Sequence, residues 1–204
     1  MQPISPEIIF RGNDAWEEAL PQISKITKSP LILGRSASTH ELRNKIFKDL
    51  KNQNLYPGIA NLQFDCCDED ISRIKNLILK NNYDSVIAAG GGKVLDSGKY
   101  ISESLEIPCI TVPLSASTCA GWTALSNIYT RNGQFIKDVA LRSCPKVLVY
   151  EHKFIKTAPS RTLASGIADA LAKWYESSIT SSSINDGLVQ QAIQISRVLR
   201  DQLL

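Results

Sequence analysis

The sequence predicts an α/β fold, a Rossmann-like parallel sheet domain followed by the first helices of an all-α domain. Three observations predict it. Short apolar runs alternate with helical segments across residues 8–150, the signature of β-α units in a parallel sheet with helices on both faces. Gly90-Gly91-Gly92 follows the apolar run Ser85-Val86-Ile87 and opens a helical pattern. After Pro159 the strand-like runs stop and only helical periodicity remains.

The elements follow in order. Ile8-Ile9-Phe10 and Leu31-Ile32-Leu33 read as strands, and residues 14–26 between them as a helix interrupted by Pro21. A helix runs from 38 towards 52, with Ser38 or Thr39 as its N-cap. Leu62-Gln63-Phe64 reads as a brief strand and 68–80 as a helix. Then come a strand at 85–89, the glycines, a helix to about 105 and a strand at 109–112. Residues 127–130 and 134–139 flank Arg131-Asn132-Gly133, and Asn-Gly there signals a hairpin. Lys146-Val147-Leu148-Val149-Tyr150 is one more strand. Residues 161–178 form a long amphipathic helix and 186–204 another helix, joined by the Ser-rich stretch 177–183, read as a loop. The domain boundary falls near Ala158-Pro159, dividing the chain into 1–158 and 159–204.

Composition narrows the function classes. At 204 residues with a net charge of +3 and scattered basic residues, the chain shows no nucleic-acid surface. No apolar run reaches the roughly 18 residues of a membrane span, and Met1-Gln2-Pro3-Ile4-Ser5-Pro6 lacks the pattern of a signal peptide. Five cysteines, Cys66, Cys67, Cys109, Cys119 and Cys144, include no C-x-x-C pair. The expectation is a reduced cytoplasmic protein without a disulfide framework.

Glycines between a strand and a helix gather unpaired N–H groups and the positive end of the helix dipole. Without Cβ atoms the backbone approaches a ligand closely, which suits a pyrophosphate. The run is neither G-x-G-x-x-G nor a P-loop.

The stretch Gly90-Gly91-Gly92-Lys93-x-x-Asp96-x-x-Lys99 resembles the dinucleotide motif of the iron-containing alcohol dehydrogenases, which include glycerol dehydrogenase and are related to dehydroquinate synthase. Two further segments match in order and spacing. One is Val112-Pro113-Leu114-Ser115-Ala116-Ser117-Thr118-Cys119 through Ala124-Leu125-Ser126-Asn127-Ile128-Tyr129. The other is Ala164-Ser165-Gly166-Ile167-Ala168-Asp169-Ala170-Leu171-Ala172-Lys173-Trp174-Tyr175-Glu176. The resemblance covers the chain from about Leu31 onward and implies that residues 159–204 begin a helical, dehydroquinate synthase-like metal-binding domain, so that the chain corresponds to the N-terminal part of the family fold.

The resemblance implies an NAD(P)-dependent, metal-dependent alcohol or polyol dehydrogenase that acts on a small alcohol or carbonyl and forms a homo-oligomer. It assigns Arg35, Gly91, Gly92, Lys93, Asp96, Leu114, Ser117, Thr118, Thr123, Leu125 and Tyr129 to the cofactor, either NAD or NADP. Cys119 falls at the substrate position, and Asp169 at that of a zinc or iron ligand. Read locally, the hydroxyls of Ser117, Thr118 and Thr123 serve ribose and carboxamide or their own turns. Asp169 is either a ligand or a structural aspartate. On helical spacing it pairs with Lys173, beside an apolar face of Ile167, Ala170, Leu171 and Trp174. Trp122 caps the site or simply packs.

Three departures from the family pattern matter. Leu114 replaces a threonine, and Cys119 replaces an aspartate that contacts glycerol, so glycerol is a doubtful substrate. Arg35 stands where NAD-dependent members carry an acidic residue; it either accommodates a 2′-phosphate or is solvated. The family's two metal-binding histidines lie beyond residue 204, and His40 and His152 read as surface residues. A catalytic zinc needs three protein ligands, so the metal site is expected to be incomplete in this chain. The alternatives are a non-catalytic nucleotide-binding fragment and a dehydroquinate synthase-like lyase.

Overall fold

The structure, a computed structural model, describes residues 4–181 and 183–204. The chain divides into two compact units: Met1–Ser115 with Cys119–Ala158, and Ala116–Thr118 with Pro159–Leu204.

The first unit is built on six parallel strands in the order β1-β8-β5-β4-β2-β3. These are β1 (Ile8–Gly12), β2 (Pro30–Gly34), β3 (Gly58–Asn61), β4 (Ser85–Gly90), β5 (Cys109–Pro113) and β8 (Val147–Glu151). A separate antiparallel hairpin pairs β6 (Leu125–Tyr129) with β7 (Phe135–Ala140). Strands β2, β4 and β5 are buried along their whole length and β8 nearly so, with side chains alternating between two cores, whereas the edge strands β1 and β3 are partly exposed. Ile32, Ile87 and Ile110 meet α1 (Ala15–Ile26) and α2 (His40–Asn52) through Trp16, Ile23, Ile46 and Leu50. Leu31, Leu33, Val86 and Ala88 meet α3 (Asp68–Asn81) and α4 (Gly92–Leu105) through Ile74, Ile78, Leu95 and Ile101. Helix α4 lies close against β4, because a Cβ at Gly98 would come within 2.5 Å of the Ala88 Cβ.

After β3 the chain returns to the middle of the sheet. β2 and β3 occupy one side, whereas β4, β5, β8 and β1 occupy the other. The strand order therefore reverses between β2 and β4, and open α/β sheets bind ligands at the carboxyl ends of strands at such a point.

Several local readings are corrected. Helix α1 runs unbroken through Pro21, because Trp16, Ala19 and Ile23 bury its inner face while Pro21 sits on the exposed side. The edge strand is Gly58–Asn61 rather than Leu62-Gln63-Phe64. The amides of Gln63 and Phe64 are taken by the Asp70 carboxylate at 2.9 Å and 2.6 Å, so they cannot join a ladder. Before α2 a 3-10 turn spans Ala37–Thr39, and Ser36 caps it by accepting from the Ser38 amide at 3.3 Å; Thr39, one of the two expected residues, takes the N-cap position of α2 but makes no side-chain cap bond. The hairpin loop places Gly133 at φ +82°, in the left-handed region. The short helix α5 (His152–Lys156) was not expected.

In the second unit α6 (Ser160–Thr180) pairs with α7 (Gly187–Leu203). Asp186 caps α7, accepting from Leu188 and Val189 at 2.9 and 3.1 Å. Ile193 is buried, Ser177 and Ser196 meet at 3.1 Å, and Arg200 covers the Trp174 ring. Helix α6 continues through Ser177 and Ser178, whose hydroxyls bond back to the Trp174 and Tyr175 carbonyls. Ser182, within the expected loop, lies outside the described residues. Among the described residues no helix is long and apolar enough to cross a membrane.

Candidate functional site

The turn from β4 into α4 lies at the point where the strand order reverses. Gly91 is the N-cap of α4, in extended conformation, and its carbonyl accepts from the Val94 and Leu95 amides at 3.0 and 3.1 Å. The amides of Gly92 and Lys93 belong to the first helical turn, which lacks carbonyl partners within the helix. The Leu114 amide donates to the Gly90 carbonyl at 3.0 Å and fixes the turn from beneath.

The first two glycines differ in what requires them. A Cβ on Gly90 would come within 2.8 Å of Val94, so packing excludes a side chain there. A Cβ on Gly91 would meet nothing nearer than the Ser115 Oγ at 3.8 Å. The free protein therefore has room for a side chain at Gly91. The turn borders a hollow of about 190 Å³ lined by Arg35, Ser36, Thr39 and residues 90–94. This hollow spans the carboxyl ends of β2 and β4. A larger groove of about 330 Å³ lies by Cys109 and Lys146, at the strand-start end of the sheet. Its charges are already matched, Arg142 with Glu103 and Glu106, and Lys146 with Glu7.

The structure brings Arg35 and residues 90–94 together around the hollow. The Arg35 Nε is tied to the Phe64 carbonyl at 2.9 Å. Lys93 pairs with the buried Asp65 and lies 5.8 Å over the Tyr129 ring, so Tyr129 meets the turn through Lys93. Asp65 is itself fixed, accepting from the Cys66 amide at 2.8 Å.

Asp96 and Leu114 contribute from underneath. Asp96 is buried and pairs with Lys99 at 3.0 Å. Burial pushes its carboxyl above the ordinary range, while Lys99 and the Asn127 amide pull the other way. Lys99 Nζ donates to the Thr123 and Leu125 carbonyls. The pair therefore binds α4 to the segment carrying Thr123 and Leu125, and Leu125 itself is exposed. The Leu114 side chain lies in the core, so it reaches the turn only through its amide. Cys119 is exposed, and Trp122 is half-exposed with its indole N–H bonded to the Ile4 carbonyl at 3.0 Å.

Ser117 and Thr118 belong to the helical unit. There α6 passes so close that a Cβ on Gly166 would come within 1.8 Å of the Ala116 carbonyl oxygen. Asp169 is half-exposed and pairs with Lys173 at 3.4 Å. Ile167, expected on an apolar face, is exposed, and no residue of α6 is buried among those described. No group of three His, Cys, Asp or Glu side chains that could hold a metal occurs among the described residues. One carboxylate does not make a catalytic metal centre, so the residues present do not fit one. His40 and His152 are exposed, and His40 meets Asn44 at 3.2 Å.

Phe64, Asp65, Asp70 and Arg131 carried no site role in the sequence. They lie in loops whose relation to the glycine turn depends on the fold. A charged Asp65 three residues before a helix, beside the apolar Phe64, Cys66 and Cys67, was the available signal.

A parallel sheet with a glycine turn and a hollow at its strand-order reversal is the architecture of the Rossmann-like α/β folds. The family model "Iron-containing alcohol dehydrogenase" matches residues 6–152, and the chain belongs to that family. An uncharacterized oxidoreductase of Synechocystis sp. is 37% identical over 98% of this chain and 51% of its own length. Glycerol dehydrogenase of Pseudomonas putida is 29% identical over 98% of this chain and 56% of its own. The crystal structure of a probable glycerol dehydrogenase from Sinorhizobium meliloti superposes with TM-score 0.82 at 22% identity, over 98% of this chain and 56% of that one. The chain thus spans about half the length of the curated relatives it matches.

Proposed function

We propose that this chain is the dinucleotide-binding part of an NAD(P)-dependent alcohol or polyol oxidoreductase. The observation that carries the reading is the Gly91 position. Nothing in the fold fills the space a side chain would take there, and it borders the hollow at the strand-order reversal. In this reading the amides of Gly92 and Lys93 hold the pyrophosphate at the start of α4. Arg35 faces the adenosine half, where its charge favours NADP. Asp65 and Tyr129 orient Lys93 beside the phosphates. Asp96 and Lys99 hold Thr123 and Leu125 on the nicotinamide side. The bound nicotinamide supplies hydride chemistry at its ring.

The names of the dehydrogenase relatives support an oxidoreductase over a lyase. The substrate class is a small alcohol or carbonyl. The described residues hold no set of metal donors, so no step is assigned to a metal.

Fluorescence titration with NADH and NADPH tests the proposal. The wild-type chain should bind dinucleotide. Gly91→Ala should melt at the same temperature and bind at least tenfold more weakly, the loss expected when a methyl blocks close backbone approach. Unchanged binding by Gly91→Ala would remove the pyrophosphate from this turn.

A further inference from the structure

The loop between β6 and β7 returns Arg131 to the segment that follows the edge strand β3. The Arg131 guanidinium carbon lies 4.0 Å from the centroid of the Phe64 ring. Arg35 meets the same residue, donating from Nε to the Phe64 carbonyl at 2.9 Å. Two guanidinium groups therefore rest on Phe64, one on its ring and one on its carbonyl. Phe64 is a firm support, because its amide donates to the buried Asp70 at 2.6 Å and Asp70 pairs with Arg73.

Neighbouring carboxylates do not neutralise these two cations. Asp65 pairs with Lys93, and Asp70 with Arg73. Asp68 and Glu69 line a hollow together with Arg131, and neither forms an ion pair with it among the described residues. Two arginines held on one aromatic residue, without anionic partners, form an arrangement that an anion would complete. Stacking restricts Arg131 in advance, so less side-chain entropy is lost when a ligand arrives.

The position identifies the anion. Arg35 directly follows Gly34, the last residue of β2, and lines the hollow beside the glycine turn. With pyrophosphate on that turn, the adenosine ribose lies at the end of β2, where this class of fold reads the 2′ position. We propose that Arg131 joins Arg35 in a two-arginine clamp for a phosphate on the adenosine 2′-oxygen, so that Arg131 helps to select NADP(H) over NAD(H). This rests on the dinucleotide reading above. A 2′-phosphate is a dianion with three acceptor oxygens, and two guanidinium forks satisfy more of it than one.

The test is calorimetric titration of the chain with adenosine 2′,5′-bisphosphate and with ADP at one fixed salt concentration. The wild type should prefer the bisphosphate. Arg131→Ala should lose about tenfold of that preference while ADP binding changes by less than about twofold, as expected from losing one charge-assisted contact. Phe64→Leu, which removes the stacking surface, should lose preference in the same direction. No wild-type preference, or a preference that both variants retain, would overturn the clamp while leaving the dinucleotide site standing. If the wild type binds neither probe and neither NADH nor NADPH, the dinucleotide reading fails and the clamp fails with it.

Discussion

Lys99 Nζ lies 3.0 Å from Asp96 Oδ1, and both side chains are almost sealed from solvent. The pair joins the helix after the glycine turn to the segment carrying Thr123, Leu125 and Asn127. It is an internal brace between the two halves of the proposed cofactor site.

Breaking that brace from one side should be costly. Lys99→Met leaves Asp96 buried without its partner, and such changes destabilise by about 3–5 kcal/mol. The double variant Lys99→Met with Asp96→Leu should recover much of the loss, because no lone charge remains. Urea unfolding checks both. A double variant no more stable than the single would show that Asp96 does not depend on Lys99.

Asp70 should contribute to acid sensitivity. Burial alone would raise its carboxyl, but the Gln63 and Phe64 amides and Arg73 outweigh that and hold it below the ordinary value of 3.8. A carboxyl with a lowered folded value stabilises above its unfolded value, and that stability drains away as pH falls through the folded one. Stability measured from pH 5 downward should therefore fall less steeply for Asp70→Asn than for the wild type. Equal slopes would mean that Asp70 is not the group responsible.

The helical unit has a steric test. Gly166→Ala sets a methyl against the Ala116 carbonyl oxygen, 1.8 Å from the unrelaxed Cβ position. Either backbone must shift, at a cost of about 1–3 kcal/mol. A lowered melting temperature is expected; an unchanged one would mean that α6 does not approach Ala116 so closely.

Metal analysis and activity assays probe Asp169. With Lys173 as its ion-pair partner and no three-donor group among the described residues, the chain should retain no stoichiometric zinc or iron and show no alcohol oxidation. Asp169→Ala should leave dinucleotide binding unchanged. Metal-dependent turnover by the wild-type chain would mean that donors are assembled in a way not seen here.

The parts of the fold readable from sequence were those whose signals are local. The apolar run at Val86-Ile87, the glycines and the following helical periodicity sit within a short span, and β4 and α4 formed where that pattern placed them. Leu62-Gln63-Phe64 has strand-like composition, yet Asp70 captures two of its amides, and alternation of side chains carries no sign of that competitor. Pro21 would ordinarily end a helix, but burial of Trp16 and Ile23 outweighed one missing hydrogen bond. Phe64 and Arg131 meet only because a hairpin folds back across 67 positions of sequence, 131 less 64. Arg35 is marked in the sequence by its place after a strand, whereas its anchor on Phe64 exists only in the tertiary structure.

Residue-resolved amide spectroscopy with NADPH added to the wild-type chain tests the central claim most directly. If the pyrophosphate sits at the start of α4, the Gly91, Gly92 and Lys93 amides should shift most and exchange more slowly with solvent, followed by residues 34–36. Saturable binding that moves other amides and leaves residues 91–93 unchanged would contradict the account.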